Sequence, residues 1–194
     1  MVVDDEGAHV VRLRAGLTRL EATWSRLGLS VATTAEPGLE EGVVVETFAA
    51  LDLEAPAELV TWFGWHNGAR GDPYTREAVP GWWLLRLDEC VDRFLFHRDF
   101  GRSEGWPEVE WLFPFMAMDA YRLLAEVRPG SPTVPVHVGP RDERAHGPHA
   151  SSLLDLVEYA TLLMEGPAVT FDEGNGFLAL DTSHPDVQAR PLLL

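Results

Sequence analysis

The sequence predicts an α+β fold, a mainly antiparallel sheet of about five to six strands with helices packed on one face. Three observations carry that prediction. Val10, Leu13, Leu17, Leu20, Trp24 and Leu27 recur at steps of three and four, which marks an amphipathic helix near the start of the chain. Between Trp82 and Val138, short apolar runs alternate with turn residues, the pattern of a meander. Leu153, Leu156, Val157, Ala160 and Leu163 or Met164 then form a second helical stripe, closed by Gly166-Pro167.

Taken in order, the first helix turns Arg12, Arg14, Arg19, Glu21 and Arg26 mostly to its other face, and Gly28 can close it. Its apolar seam is too short for a sustained coiled coil, so it faces a core. A loop containing Thr33, Thr34, Pro37 and Gly38 follows. Residues 40–51 read two ways. Val43-Val44-Val45 favours a strand by β-branching, whereas Leu39, Val43, Phe48 and Leu51 can share a helical face. Pro56 suits the first position of a short helix in which Leu59, Trp62, Phe63 and His66 share helical spacing, and Asn67-Gly68 supplies its stop.

After a turn-rich loop from Gly68 to Pro80, Trp82–Leu87 reads as an apolar strand. A short helix from Asp88 to about His97 hangs off it, and Asp99–Pro107 reads as a loop. Glu110–Met116, Tyr121–Val127 and Thr133–Val138 are successive strands, the last two separated by Arg128-Pro129-Gly130-Ser131-Pro132. Gly139–Ala150 is a loop leading to the last long helix, where Ser152 and Asp155 have capping-box spacing. Val169–Asp172 and Phe177–Leu180 flank Glu173-Gly174-Asn175-Gly176, a hairpin turn. One domain spans residues 1–181, and 182–194, without periodicity, is expected to be a tail, extended over the surface or mobile.

The chain carries a net charge of −16 and contains no lysine, its fifteen cations all being arginine. Such an excess argues against nucleic-acid binding, which needs cationic surface, and suits a basic partner. The excess is concentrated. Leu27–Ala69 holds seven acids and no arginine, Ala145–Ala189 holds another seven and no arginine, and residues 70–144 are nearly balanced. If the two acidic segments pack side by side, they make one strongly negative face. Its candidate contact residues are Glu40, Glu41, Glu46, Asp52, Glu54 and Glu58, joined by Glu158 and Glu165. A generally solvated acidic surface is the alternative reading.

The lone cysteine, Cys90, cannot form an internal disulfide and favours a reducing compartment. No signal peptide or apolar run of membrane-spanning length is read, so a cytoplasmic, non-membrane protein is expected. The usual catalytic motifs are missing: no nucleophile elbow, phosphate loop, zincin helix or cysteine pair. His146-x-x-His149, near His137, Asp142 and Glu143, is the nearest metal candidate, but Gly147 and Pro148 make it read as a solvated loop. No metal or cofactor is therefore expected, and the chain reads as non-catalytic. His66 could act as a base or ligand, or simply hold the helix end through ring hydrogen bonds, the better reading. Among the tryptophans, Trp83 and Trp106 are the ones whose placement leaves room for a role outside the core.

Leu53-Glu54-Ala55-Pro56 followed by Trp65-His66-Asn67-Gly68 resembles the signature segment of the SUKH superfamily, and Trp62, Trp65, His66, Asn67 and Gly68 would be its structural motif. Further landmarks stand in the same order: Trp82–Leu87 with Asp88-Glu89-Cys90-Val91, Trp111-Leu112-Phe113-Pro114-Phe115, and Ala150-Ser151-Ser152-Leu153-Leu154-Asp155-Leu156-Val157. The resemblance covers roughly residues 10–166 and favours helix over strand for 40–51. It implies a bacterial immunity protein that neutralises a polymorphic toxin, often a nuclease, by direct binding. It also admits a cytosolic regulatory scaffold of the kind found among the family's cell-wall-assembly regulators. A small-ligand or enzymatic domain built on His66 and exposed tryptophans is the third alternative.

Overall fold

The computed structural model describes residues 5–131, 133–141, 143–172 and 177–189. Helix α1, Asp5–Leu27, buries Leu13, Leu17, Leu20 and Trp24, the stripe its spacing predicts, and ends where Gly28 takes φ 72°. The following loop contains a single helical turn, α2 (Val31–Thr34), and a short strand, β1 (Ala35–Pro37), neither of which has a sequence signature. Helix α3, Glu41–Ala50, settles the ambiguous segment: Val44 and Phe48, one turn apart, are its buried residues.

Helix α4 spans Ala57–Trp65. Pro56 stands one place before the first helical residue, as the extended N-cap. His66 does not continue the helix, as its spacing suggested. It turns to φ −144° and opens β2, His66–Ala69, which pairs antiparallel with β1. That pairing satisfies backbone groups that another helical turn would have used locally, and one apolar spacing cannot report it.

Six strands form the main sheet: β3 (Glu77–Val79), β4 (Trp82–Leu84), β5 (Leu112–Met118), β6 (Tyr121–Glu126), β7 (Val136–Pro140) and β8 (His146–Ala150). They lie in that order, each antiparallel to its neighbour. Two expectations need correction. The helix after β4 is α5, Leu87–Ser103, so it starts at the last residue of the expected strand and runs on into the first half of the expected loop. The first chain breaker after it is Gly105-Trp106-Pro107; Gly101 is tolerated inside because Val109 occupies the space a side chain would need. Likewise His146–Ala150 is a strand, where a loop was expected. As the outermost strand of the sheet it can carry Pro148, which an inner strand could not.

Helix α6, Leu153–Glu165, starts at Ser152, whose hydroxyl accepts from Asp155 N at 3.0 Å. The Asp155 carboxylate reaches back to the N–H and hydroxyl of Ser151 rather than to Ser152, so the box is half of the expected one. Strands β9 (Val169–Asp172) and β10 (Phe177–Leu180) pair antiparallel, and the expected turn at 173–176 lies outside the described residues. The start of the expected tail is not extended. Pro185–Ala189 form α7, Val187 is buried, and the Tyr159 hydroxyl donates to the Asp186 carbonyl at 3.2 Å.

One face of the sheet carries the core. Phe113 on β5 meets Phe48 of α3, Phe63 of α4 and Phe94 of α5, and Phe115 meets Trp62 edge-on at 5.3 Å. Each such aromatic pair adds about 0.5–1.5 kcal/mol beyond simple burial. Helix α1 packs against α4 and α6, and α3 packs against α4. Because strand side chains alternate, Pro114 points away from this layer, as does Leu124, its partner across the β5–β6 pair. Leu124, Leu112 and Val109 are buried but stand apart from the main core.

Candidate functional site

The structure divides the eight candidate acids into three groups. Glu58 is a correction. It sits on the inner side of α4, 1% exposed, and cannot meet a partner. Its carboxyl group lies 2.8 Å from His9 Nε2 and accepts from Leu154 N at 3.0 Å and Val134 N at 2.7 Å. One side chain thereby joins α1, the approach to β7 and the N-terminus of α6, where an acid also meets the positive end of the helix dipole.

The second group is on α6 and is already neutralised. Arg12 of α1 donates to Glu158 at 3.0 Å. Arg19 of α1 makes a two-pronged pair with Glu165, which also accepts from Thr23. The Arg19 hydrogen bond and charge hold the Glu165 carboxyl below its usual range. Arginines on the polar face of α1 thus neutralise these two acids of the second segment.

The third group surrounds α3. Glu40 is the N-cap residue, with no side-chain cap bond; Glu41 opens the helix and Glu46 lies in mid-helix. Asp52 follows the helix at φ 61°, its N–H donating to the Ala49 carbonyl at 3.1 Å. All four are exposed, and among the described residues none is paired with an arginine. Glu54, also exposed, accepts from Gly130 N at 3.1 Å.

What surrounds these acids was not read from the sequence. Val43 and Val45 are 47% and 42% exposed, and Gly42, Ala49 and Ala50 are exposed with them. A helix apolar on all sides is normally enclosed, but α3 buries only the Val44–Phe48 stripe. The signal was present in Glu41–Ala50, where Glu41, Glu46 and Thr47 are the only polar side chains. Open grooves flank the helix. One, of about 410 Å³, runs between α3 and α5 past Val43, Thr47, Leu87 and Val91. The other, of about 350 Å³, lies on the α1 side past Glu41, Leu17, Val60 and Trp65. Leu39 lines both, so α3 forms a ridge.

The segment Trp62–Gly68 is built for rigidity. Trp62 is buried against Phe115, and Trp65 lies tilted against Trp24 at 5.0 Å while donating to Glu21 at 3.1 Å. His66 Nδ1–H donates to the Glu36 carbonyl at 2.9 Å, since a carbonyl can only accept, and the ring lies 4.5 Å from Trp65. Asn67 does not end α4. Its Oδ1 accepts from Leu87 N at 2.9 Å and so caps α5. Gly68 has φ 73°, and a Cβ there would stand 2.6 Å from Arg86 N.

Cys90 is fully buried, and burial pushes its thiol well above the ordinary value, which suppresses the thiolate. Trp83 lines a shallow cavity with Met118 and Phe177, while Trp106 packs edge-on against Phe100 at 5.5 Å. His137 pairs with Glu126 at 2.9 Å. Among the described residues no group of three or more His, Cys, Asp or Glu side chains is placed to hold a metal ion, and no helix is long and apolar enough to cross a membrane. Compared with known proteins, the chain matches no family profile, and no curated protein matches it significantly.

Proposed function

We propose that this chain is a non-catalytic binding protein that uses the α3 ridge to hold a basic protein partner, and that the partner is a toxin, such as a nuclease, which it neutralises by direct contact. One observation carries the reading: Glu40, Glu41, Glu46 and Asp52, on or next to α3 and without arginine partners among the described residues, accompany the exposed Val43 and Val45 of that helix. Exposed apolar side chains rimmed by uncompensated charge suit a docking surface whose centre is dry and whose rim steers the encounter. A cationic substrate channel is the surface that complements it best. The short motifs resembling the SUKH superfamily support the immunity role, and the expected cytoplasmic location belongs to the same proposal.

The test is affinity capture of the tagged chain from its own cell lysate at low and high salt, run beside a variant carrying Glu41→Arg and Glu46→Arg. A dominant basic partner, held better at low salt and lost from the variant, is the expected result. Identical capture by both proteins would remove α3 as the docking surface. Several partners of mixed charge would favour a regulatory scaffold.

A further inference from the structure

On the sheet face turned away from the core, a cavity of about 260 Å³ opens between α5 and the β5–β6 pair. Pro114 and Leu124 form its floor. Arg122, two residues along β6 from Leu124, enters on the same face and is 8% exposed. Its Nη1 donates to the carbonyls of Tyr121 at 2.9 Å and Asp119 at 3.4 Å, which fixes the guanidinium. A guanidinium carries five N–H donors in a fixed fork, the geometry that carboxylate and phosphate groups match. Arg93 and His97, one turn apart on α5, and Arg141, just beyond β7, complete the polar wall. Arg141 lies over the Phe96 ring at 4.7 Å, and Asp92 is the one carboxylate among the described lining residues. Three guanidinium groups around one cavity run against the composition of a chain with net charge −16.

His97 supplies a second, independent observation. It is 5% exposed, and its Nε2 has no partner. Leaving a buried polar atom unpartnered costs about 1–3 kcal/mol, a cost that a ligand in the cavity would relieve. Burial and the neighbouring Arg122 charge lower the proton affinity of the ring, and an anion bound beside it would act in the opposite sense.

We infer that this cavity binds a small organic anion, its carboxylate or phosphate group received by Arg122, Arg141 and His97, its apolar body resting on Phe96, Pro114 and Leu124. Bidentate recognition by guanidinium is the common chemistry of both groups. The volume is below that of drug-sized sites and suits a single-ring body. This site is separate from α3 and does not depend on the toxin-binding proposal.

The experiment titrates the full chain with phenyl phosphate and with benzoate, using sodium chloride at matched ionic strength as control. Heat and the His97 ring NMR signals are followed together. Saturable binding of one probe at millimolar strength or tighter is expected, with the His97 signals shifting in step, and weakening of at least about tenfold in Arg141→Gln. Arg141 is exposed at the rim, so that variant keeps the fold; His97→Gln provides the second. Saturation by phenyl phosphate alone identifies a phosphate ligand, and by benzoate alone a carboxylate. No saturation by either probe up to roughly 10 mM, or affinity unchanged in both variants, overturns the assignment. So does an acidic peptide that binds this cavity when both small probes fail.

Discussion

The two acidic segments are alike in sequence and opposite in structure. Residues 27–69 and 145–189 each carry seven acids and no arginine. In the second segment, Glu158 and Glu165 face α1 and meet Arg12 and Arg19. In the first, Glu36 meets Arg70 and Glu58 is consumed inside the protein, while the acids of α3 remain uncompensated at the surface. Local charge density therefore says little about surface potential. What decides it is which helix packs alongside, and α1 delivers its arginines to α6 and not to α3.

The largest effect should come from the acid that the charge count misassigns. Glu58→Ala strands the N–H groups of Val134 and Leu154 together with His9 Nε2. At about 1–3 kcal/mol per buried orphan, a loss of roughly 3 kcal/mol or more is expected in urea unfolding. Glu58→Gln, which keeps one accepting oxygen, should fall between. A midpoint shift no larger than that of a surface acid variant would show that the three contacts carry no weight.

Reversing the α3 acids sharpens the contrast from the other side. Glu41→Arg with Glu46→Arg should cost less than about 1 kcal/mol of stability, mostly from Glu41 at the helix N-terminus. Association with the captured basic partner should slow by about tenfold or more at low ionic strength, and its salt dependence should flatten. Glu158→Arg is the control: its charge is already matched by Arg12, so a smaller kinetic change is expected. Equal slowing in both variants would mean that the whole molecule's charge steers the partner, and not the α3 ridge.

A third prediction concerns the junction between the helices. Asn67→Ala removes the acceptor for Leu87 N at the start of α5, worth about 1 kcal/mol by analogy with lost N-caps. Thermal unfolding of this variant should show the loss; an unchanged midpoint would return Asn67 to a passive turn residue. Here the sequence was half legible. Trp65-His66-Asn67-Gly68 announced a rigid stop, and Gly68 does take positive φ. That Asn67 serves a helix twenty residues later depends on a tertiary contact, which no local pattern encodes. The long amphipathic helices α1 and α6 and the β5–β6–β7 meander were legible because their periodicity is repeated and core-directed. Strand β8 was not, because His146, Gly147 and Pro148 have no strand propensity and the strand exists through β7. The Arg122–His97 cavity was invisible for a related reason: its residues come from β5, β6, α5 and the residue after β7, and converge only once the sheet forms.

The smallest effect separates acids by what neutralises them, and its sign is definite. The Arg19 hydrogen bond and charge lower the folded-state pKa of Glu165 from the usual 4.5. The stability this pair contributes is present above the unfolded value and is lost as pH falls through the lower, folded one. Glu77 is the reverse. Burial raises its pKa above 4.5, opposed by the hydrogen bonds from Leu178 and Gly81. The folded state therefore holds that proton more tightly, and stability declines as pH rises from the unfolded value through the folded one. Urea midpoints measured across this range should respond in opposite ways. Glu165→Gln should flatten the profile on the acid side of about 4.5, with a small amplitude because the pair is exposed to solvent. Glu77→Gln, whose single carbonyl oxygen replaces only one of the two accepting oxygens, should lower stability at every pH and remove the decline above that pH. If both variants flattened the same side, the arginine-paired and backbone-bonded acids would not differ in the way their environments require.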